Sequence, residues 1–283
     1  MTKPADPSVS LLARLRNVAR QQGLPTDTML LLYTQQGFLA RLDRSRHSER
    51  FVVKGGMSLY ARYHAAARPT QDLDLAARRL PNTPDGVREA LIEIVARDFP
   101  DGLTFDPAEI TTREMQIESE YQGVAAQVTA TVGRARQTLP LDISFNNVIT
   151  PAPVTLAFPS MLVTEAVRVR VYPLETVIAE KFAALCELGS VTTRMKDIYD
   201  LWVILQRETL DPVTLKQAVN RSFANRSTPP AAEVLSEAFA TDPEMQRKWS
   251  QYLRRTGLEA PGQFSEVMAA LRSDLETIAP ATS

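Results

Sequence analysis

Two aspartates, Asp72 and Asp74, stand at i and i+2 in the run Gln71-Asp72-Leu73-Asp74-Leu75. In an extended strand this spacing turns both carboxylates to one side and sends Leu73 and Leu75 into the core. Such a pair suits Mg²⁺, a hard cation that takes oxygen ligands and keeps waters and substrate phosphates. Two such ions about 4 Å apart can stabilise both the attacking and the leaving oxygen of phosphoryl transfer. Upstream, Lys54-Gly55-Gly56-Met57-Ser58 leads into an expected helix. Free N–H groups at a helix start favour anions, and glycine lets a triphosphate come close to the backbone. Each feature has an ordinary reading by itself: a surface Asp-Leu-Asp at a strand end, and a tight turn. Their association within one short stretch is what points to chemistry. The spacing is neither GxGxxG nor GxxxxGK[ST], so dinucleotide-fold and P-loop readings fail.

A third carboxylate is expected on an adjoining strand, and Leu139-Pro140-Leu141-Asp142-Ile143-Ser144-Phe145 supplies it. Alternation puts Leu141, Ile143 and Phe145 on the core side and Asp142 and Ser144 opposite. An aspartate in so apolar a strand is costly unless paired, metal-bound or facing water at a sheet edge.

The elements that must position these groups follow from periodicity. Apolar Val9, Leu12, Leu15 and Val18 mark a helix over 9–22, and Thr26 or Asp27 caps a second one running to about Arg46. Phe51-Val52-Val53 reads as a buried strand, 55–63 as a helix, 72–75 as a strand and 87–96 as a helix. From 103 to 171 the pattern is β, with strands over Thr111–Glu118, Ala125–Val132, Thr138–Phe145 and the alternating Val167-Arg168-Val169-Arg170-Val171. Pro173 belongs to the first turn of a helix. Beyond it, helices are expected over 173–188, 193–207, 212–224, 231–240, 243–255 and 262–279. The fold class is α+β: a mixed sheet with flanking helices over 1–172 and an all-helical region over 173–283.

Four blocks between about residues 50 and 205 resemble the AbiEii/AbiGii-type (MenT-like) nucleotidyltransferase toxins of the DNA polymerase β-like superfamily. Lys54 to Leu59 is similar to the family's Gly-Gly block, and Arg68-Pro69-Thr70-Gln71-Asp72-Leu73-Asp74-Leu75 to its Arg-x-Thr/Ser-x-Asp-x-Asp block. Leu141 to Phe145 resembles the third-carboxylate strand. Glu175 to Leu185 followed by Arg194 to Leu201 resembles the helical signature. The ends, 1–45 and 210–283, carry little family signal. The resemblance implies a polymerase β-like sheet and Mg²⁺ held by Asp72, Asp74 and Asp142. It implies triphosphate contacts from Lys54, Gly55, Gly56, Ser58, Arg68, Thr70 and Lys181, with Asp197 ordering Lys181 or the nucleotide. The wider superfamily commonly has Gly-Ser where Gly55-Gly56 stands, which leaves the serine's phosphate contact to Ser58 or to no residue. Asp197 also has an ordinary reading as an ion pair with Arg194, and Lys181 as a solvated helix residue. Further implications are transfer of an NMP from an NTP to an RNA acceptor, a tRNA 3′ end, with blocked translation, and an antitoxin from a neighbouring gene.

Composition narrows the field. Among 283 residues, 32 Lys+Arg oppose 33 Asp+Glu for a formal charge of −1, which argues against a DNA-coating protein. Any RNA surface must come from local clusters such as Arg134/Arg136, Arg168/Arg170 and Arg247/Lys248/Arg254/Arg255, which read as readily as solvated faces. One cysteine, Cys186, fits a reducing cytoplasm, and His47 and His64 leave no zinc pattern. No apolar run is long enough for a membrane span, and the start has no signal-peptide core. Tyr199 and Trp202 read as core before base-stacking platforms. Two other functions compete: a nucleotidyltransferase acting on protein side chains, as in AMPylation, and a catalytically silent nucleotide-binding module.

Overall fold

The computed structural model describes residues 7–64, 67–68, 70–117, 121–162 and 165–280. Residues 1–6, Pro69 of the Arg-x-Thr block and Glu118, the expected end of one strand, lie outside them. The chain forms two compact units, one of Met1–Asn147 with Val154–Tyr172, the other of Val148–Pro153 with Pro173–Ser283. Segment 148–153, expected with the sheet, therefore belongs to the helical unit. There the Thr150 N–H donates to Thr176 Oγ1 at 2.8 Å, and the same hydroxyl donates back to the Thr150 carbonyl at 2.8 Å.

The first unit carries helices α1 (Pro7–Gln21), α2 (Thr26–Asp43), α3 (Gly55–Tyr63) and α4 (Pro84–Val95). Its strands are β1 (Phe51–Val53), β2 (Leu73–Ala77), β3 (Thr104–Phe105), β4 (Thr111–Ile117), β5 (Tyr121–Val132), β6 (Ala135–Ser144), β7 (Val154–Phe158) and β8 (Val167–Val171). They make one mixed sheet in the order β3-β5-β6-β2-β1-β8-β7, with β4 also beside β5. The β2–β6 and β1–β8 pairs are parallel and the others antiparallel. β7, set behind Pro151 and Pro153, is an edge strand paired with β8. Neither it nor the two-residue β3 has a distinct run in the sequence.

Cross-strand register gives each sheet face its character. Leu73 and Leu75 stand beside Leu141 and Ile143, and Val124, Ala126 and Val128 of β5 continue that face. All are buried, packed with Leu15, Met29, Leu32, Phe38, Leu91 and Ile94 from α1, α2 and α4. Each of these side chains other than that of Ala126 contributes roughly 1.5–3 kcal/mol by leaving water. The opposite face receives Asp74 and Asp142.

α2 also carries a buried polar stretch, Thr34-Gln35-Gln36. One turn on, Arg41 grips Asp101 with both guanidinium nitrogens, at 2.6 and 3.1 Å, and donates to the Gly37 and Leu103 carbonyls. A side chain at Gly37 would strike Leu103 and Asp101, so glycine makes room for this buried pair. The helix ends at Asp43, short of Arg46, because the Ser45 hydroxyl donates to the Leu42 carbonyl at 2.9 Å and tightens the turn.

The second unit is helical among its described residues: α5 (Leu174–Leu188), α6 (Met195–Arg207), α7 (Pro212–Arg226), α8 (Glu237–Ala240), α9 (Pro243–Thr256) and α10 (Phe264–Ile278). Asp211 and Asp242 cap α7 and α9, each followed by a proline in the first turn. The helix expected over 231–240 shrinks to α8. Ser236 caps it by accepting from the Phe239 N–H, while donating to the Glu233 carbonyl at 2.6 Å. Trp249, wholly buried, stacks on Tyr252 and packs against Phe264. No helix among the described residues is long and apolar enough to cross a membrane.

Candidate active site

Parallel pairing of β2 with β6 sets Asp74 directly beside Asp142. Neighbouring strands lie about 4.8 Å apart, and side chains at paired positions leave the same face. Asp72 occupies the bend just before β2 and is exposed, whereas Asp74 and Asp142 are half-buried. Asp142 responds to both of the other carboxylates. Burial, then the charges of Asp74 and Asp72, push the Asp142 carboxyl above the usual carboxylate range, against the opposing pull of Lys54 and Arg113. Among the described residues no three acidic, histidine or cysteine groups form a ready-made metal cage. The preset feature is thus the Asp74–Asp142 pair, with Asp72 beside it on a bend. Two carboxylates with room for water and phosphate oxygens fit Mg²⁺, which seldom uses an all-protein cage.

The glycine pair abuts this site. The Lys54 N–H donates to the Asp74 carbonyl at 2.9 Å, ending β1 and opening α3. Gly55 has φ +59°, and a β-carbon there would come within 2.0 Å of Asp74 Oδ2. Only glycine tolerates both the left-handed backbone and the carboxylate beside it. A β-carbon on Gly56 would sit 2.9 Å from Thr70 Cβ and 3.3 Å from Arg68 Nη1, so both motif residues pack over the start of α3. The N-cap residue Lys54 makes no side-chain cap hydrogen bond to that helix, whose first N–H groups have no partner within the helix itself. Of the two alternatives left open for Ser58, its placement favours no phosphate contact. It is fully buried and donates its hydroxyl proton to the Gly55 carbonyl at 2.8 Å, acting as a strut beneath the loop.

Two further residues bear on the site. Gln35 of α2, fully buried, donates from Nε2 to the Gln71 carbonyl at 3.0 Å, immediately before Asp72. The apolar stretch around Gln35-Gln36 is the sequence signal that a polar helix residue has an inward task. Arg113 of β4 has no such signal, because strand register alone puts it across Ala125 from Asp142.

In the helical unit, Lys181 lies between Asp197 at 2.5 Å and Asp200 at 2.8 Å, all three buried. Arg194 approaches Asp197 at 3.7 Å. Burial drives the Asp197 carboxyl up, but the Lys181 charge and hydrogen bond, with Arg194 and Lys196, outweigh it and hold the group below its ordinary range. Asp197 thus contacts both Lys181 and Arg194.

The remaining candidates are less engaged with chemistry. Arg136 pairs with Glu109, Arg170 donates to the Glu49 carbonyl, Arg247 pairs with Glu244, and Lys248 donates to the Thr192 carbonyl. Tyr199 is buried against Trp202 and Tyr252, as core. His47 is buried with Nε2 2.8 Å from Glu93. Cys186 is buried and free.

The family profile described as "Nucleotidyl transferase AbiEii toxin, Type IV TA system" matches residues 37–272. The chain belongs to the AbiEii nucleotidyltransferase toxin family. As an AbiEii protein it is a nucleotidyltransferase of a toxin–antitoxin system, with a nucleotide substrate and a cognate antitoxin. The match runs far beyond residues 50–205 and takes in most of 210–283, where individual motifs give little sign of kinship. Two solved structures share the fold. JHP933 from Helicobacter pylori is similar at TM-score 0.50 and 18% identity, over 89% of this chain and 91% of its own. A structure described as a candidate nucleotidyltransferase from H. pylori is similar at TM-score 0.50 and 18% identity, over 90% and 96%. No curated protein matches the sequence.

Proposed function

We propose that this AbiEii protein transfers an NMP from an NTP to a hydroxyl of an RNA acceptor, a tRNA 3′ end, and so blocks translation. The observation that carries the reading is the in-register Asp74–Asp142 pair with Gly55 pressed against the Asp74 carboxylate. Asp74 and Asp142, with Asp72 alongside, would hold Mg²⁺. When bound, the ion would neutralise charge on phosphate oxygens and favour ionisation of the attacking hydroxyl. The uncapped start of α3 offers peptide N–H groups to the triphosphate, and Lys54, Arg68 and Thr70 flank it with donors. Asp142, its carboxyl raised by burial and like charges, accepts the hydroxyl proton. The acceptor oxygen bonds to the α-phosphorus, the bond from that phosphorus to the bridging oxygen breaks, and pyrophosphate leaves. Lys181 keeps the phosphate-contact role that the helical signature implies, and within its own unit Asp197 and Asp200 hold its ammonium.

The test combines protein, labelled NTPs, Mg²⁺ and total RNA. Label on small RNA, lost in Asp74→Ala, is the expected result. Label on protein instead would replace the acceptor with a side chain. Full transfer by Asp74→Ala would remove the catalytic assignment.

A further inference from the structure

One cross-strand row runs through the site. Arg113 of β4 pairs with Ala125 of β5, Ala125 with Asp142 of β6, and Asp142 with Asp74 of β2, whose carbonyl accepts from the Lys54 N–H. Residues at paired positions share a face, so Arg113 and both carboxylates point the same way. Ala125 is short, so nothing bulky in the row separates Arg113 from Asp142. Arg113 is exposed. Its field reaches Asp142, yet among the described residues it makes no hydrogen bond or ion pair. The row is polarised: Lys54 and the open start of α3 lie on the Asp74 side, and Arg113 lies beyond Asp142. The adjoining row, Thr111 and Gln127, is exposed too, which extends an open polar face over β4 and β5.

In-line displacement brings the attacking hydroxyl from the side opposite the departing pyrophosphate. With the triphosphate against α3, that side is Asp142 and then Arg113. We propose that Arg113 binds the backbone phosphate next to the attacking hydroxyl, making the acceptor the end of a polynucleotide strand. This rests on the nucleotidyltransferase reading above and names the group that recognises its acceptor. A guanidinium matches a phosphate with two parallel hydrogen bonds, whereas a protein side-chain hydroxyl brings no such charge. Among the described residues Arg113 has no ion pair that must break on binding.

The experiment measures transfer to a short RNA at varied acceptor concentration, for the native protein, Arg113→Ala and Arg113→Lys. Each acceptor is used with its last phosphodiester native or as a neutral methylphosphonate. For the native protein, the neutral linkage raises KM for RNA roughly tenfold, as loss of one charge-assisted contact does. Arg113→Ala raises it similarly with the native linkage and is insensitive to the neutral one, while Arg113→Lys recovers part of the loss. KM for the NTP stays unchanged. RNA labelling that is as sensitive to the neutral linkage in Arg113→Ala as in the native protein would overturn the Arg113 assignment alone. No RNA labelling by the native protein, with label on protein, would overturn the RNA reading and this inference with it.

Discussion

Asp74 and Asp142, far apart in sequence, are immediate neighbours across two parallel strands. Burial above all, and then repulsion from Asp74 and Asp72, pushes the Asp142 carboxyl upward. The fold accepts that electrostatic cost at the place where a cation would relieve it.

Asp142→Asn should therefore inactivate and stabilise at once. Because the folded carboxyl titrates above its unfolded value of 3.8, it binds its proton more tightly when folded. Its ionisation costs stability as pH rises through the interval above that value. The variant should melt higher than the native protein at pH 7, with the gain fading as pH falls toward 3.8. Transfer should fall by roughly 10²–10⁴-fold, as for loss of a general base. Melting curves across pH and a turnover assay check both halves; a lower melting point at pH 7 would contradict the repulsion argument.

Gly55→Ala should damage both loop and site. A β-carbon there enters the space of Asp74 Oδ2, and φ +59° costs a non-glycine residue about 1–2 kcal/mol. Stability should fall by at least that amount, and transfer to near background. Gly56→Ala, which meets the Thr70 side chain, should be milder. Equal effects of the two substitutions would remove the special status of Gly55.

If Asp72 helps to hold Mg²⁺ as proposed, Gln35→Leu should weaken NTP binding measured with Mg²⁺ roughly 10–100-fold, as loss of an outer-shell hydrogen bond does. Stability should barely change: the Gln71 carbonyl lies on an exposed residue where water replaces the lost donor, and among the described residues the Gln35 Oε1 has no partner to lose. Calorimetric NTP titration alongside thermal melting separates these effects. Unaltered binding would show that the bend before Asp72 holds itself.

Lys181→Met should cost about 3–5 kcal/mol, because it leaves Asp197 and Asp200 buried without their shared cation. The Asp197 carboxyl, held low, contributes stability above its unfolded value of 3.8 that is lost as pH falls through the folded one. In Lys181→Met that acid-labile contribution should disappear. Melting against pH from 2 to 7 reads both; an unchanged midpoint at pH 7 would show the cluster to be energetically idle.

Cys186 should be inert while the protein is folded. Burial, with Glu187 and Glu233 nearby, pushes its thiol up to about 12, so thiolate is scarce at neutral pH. Iodoacetamide should label it in denaturant and leave it untouched before unfolding, by mass measurement.

Local chemistry is written in the chain itself. Gly-Gly opening a helix, the strand that carries Asp74, and alternating Val and Arg over 167–171 state their conformations because each depends on a few adjacent residues, whereas Asp72, expected in the same strand, falls on the bend before it. Asp142 could be named from its apolar strand, since parity alone sends it away from Leu141 and Ile143. The α8 boundary, the Ser58 strut and the assignment of 148–153 to the helical unit were not legible, because each turns on a hydrogen bond rather than on hydropathy. Strand pairing was hidden for a deeper reason. Sliding β6 or β4 by one residue leaves the sequence pattern intact yet moves every side chain to the other face. The Asp74–Asp142 contact, the position of Arg113 beyond Ala125 and the Gln35 hold on Gln71 exist only in the folded chain. There, burying one apolar sheet face fixes the register that the residues by themselves leave open.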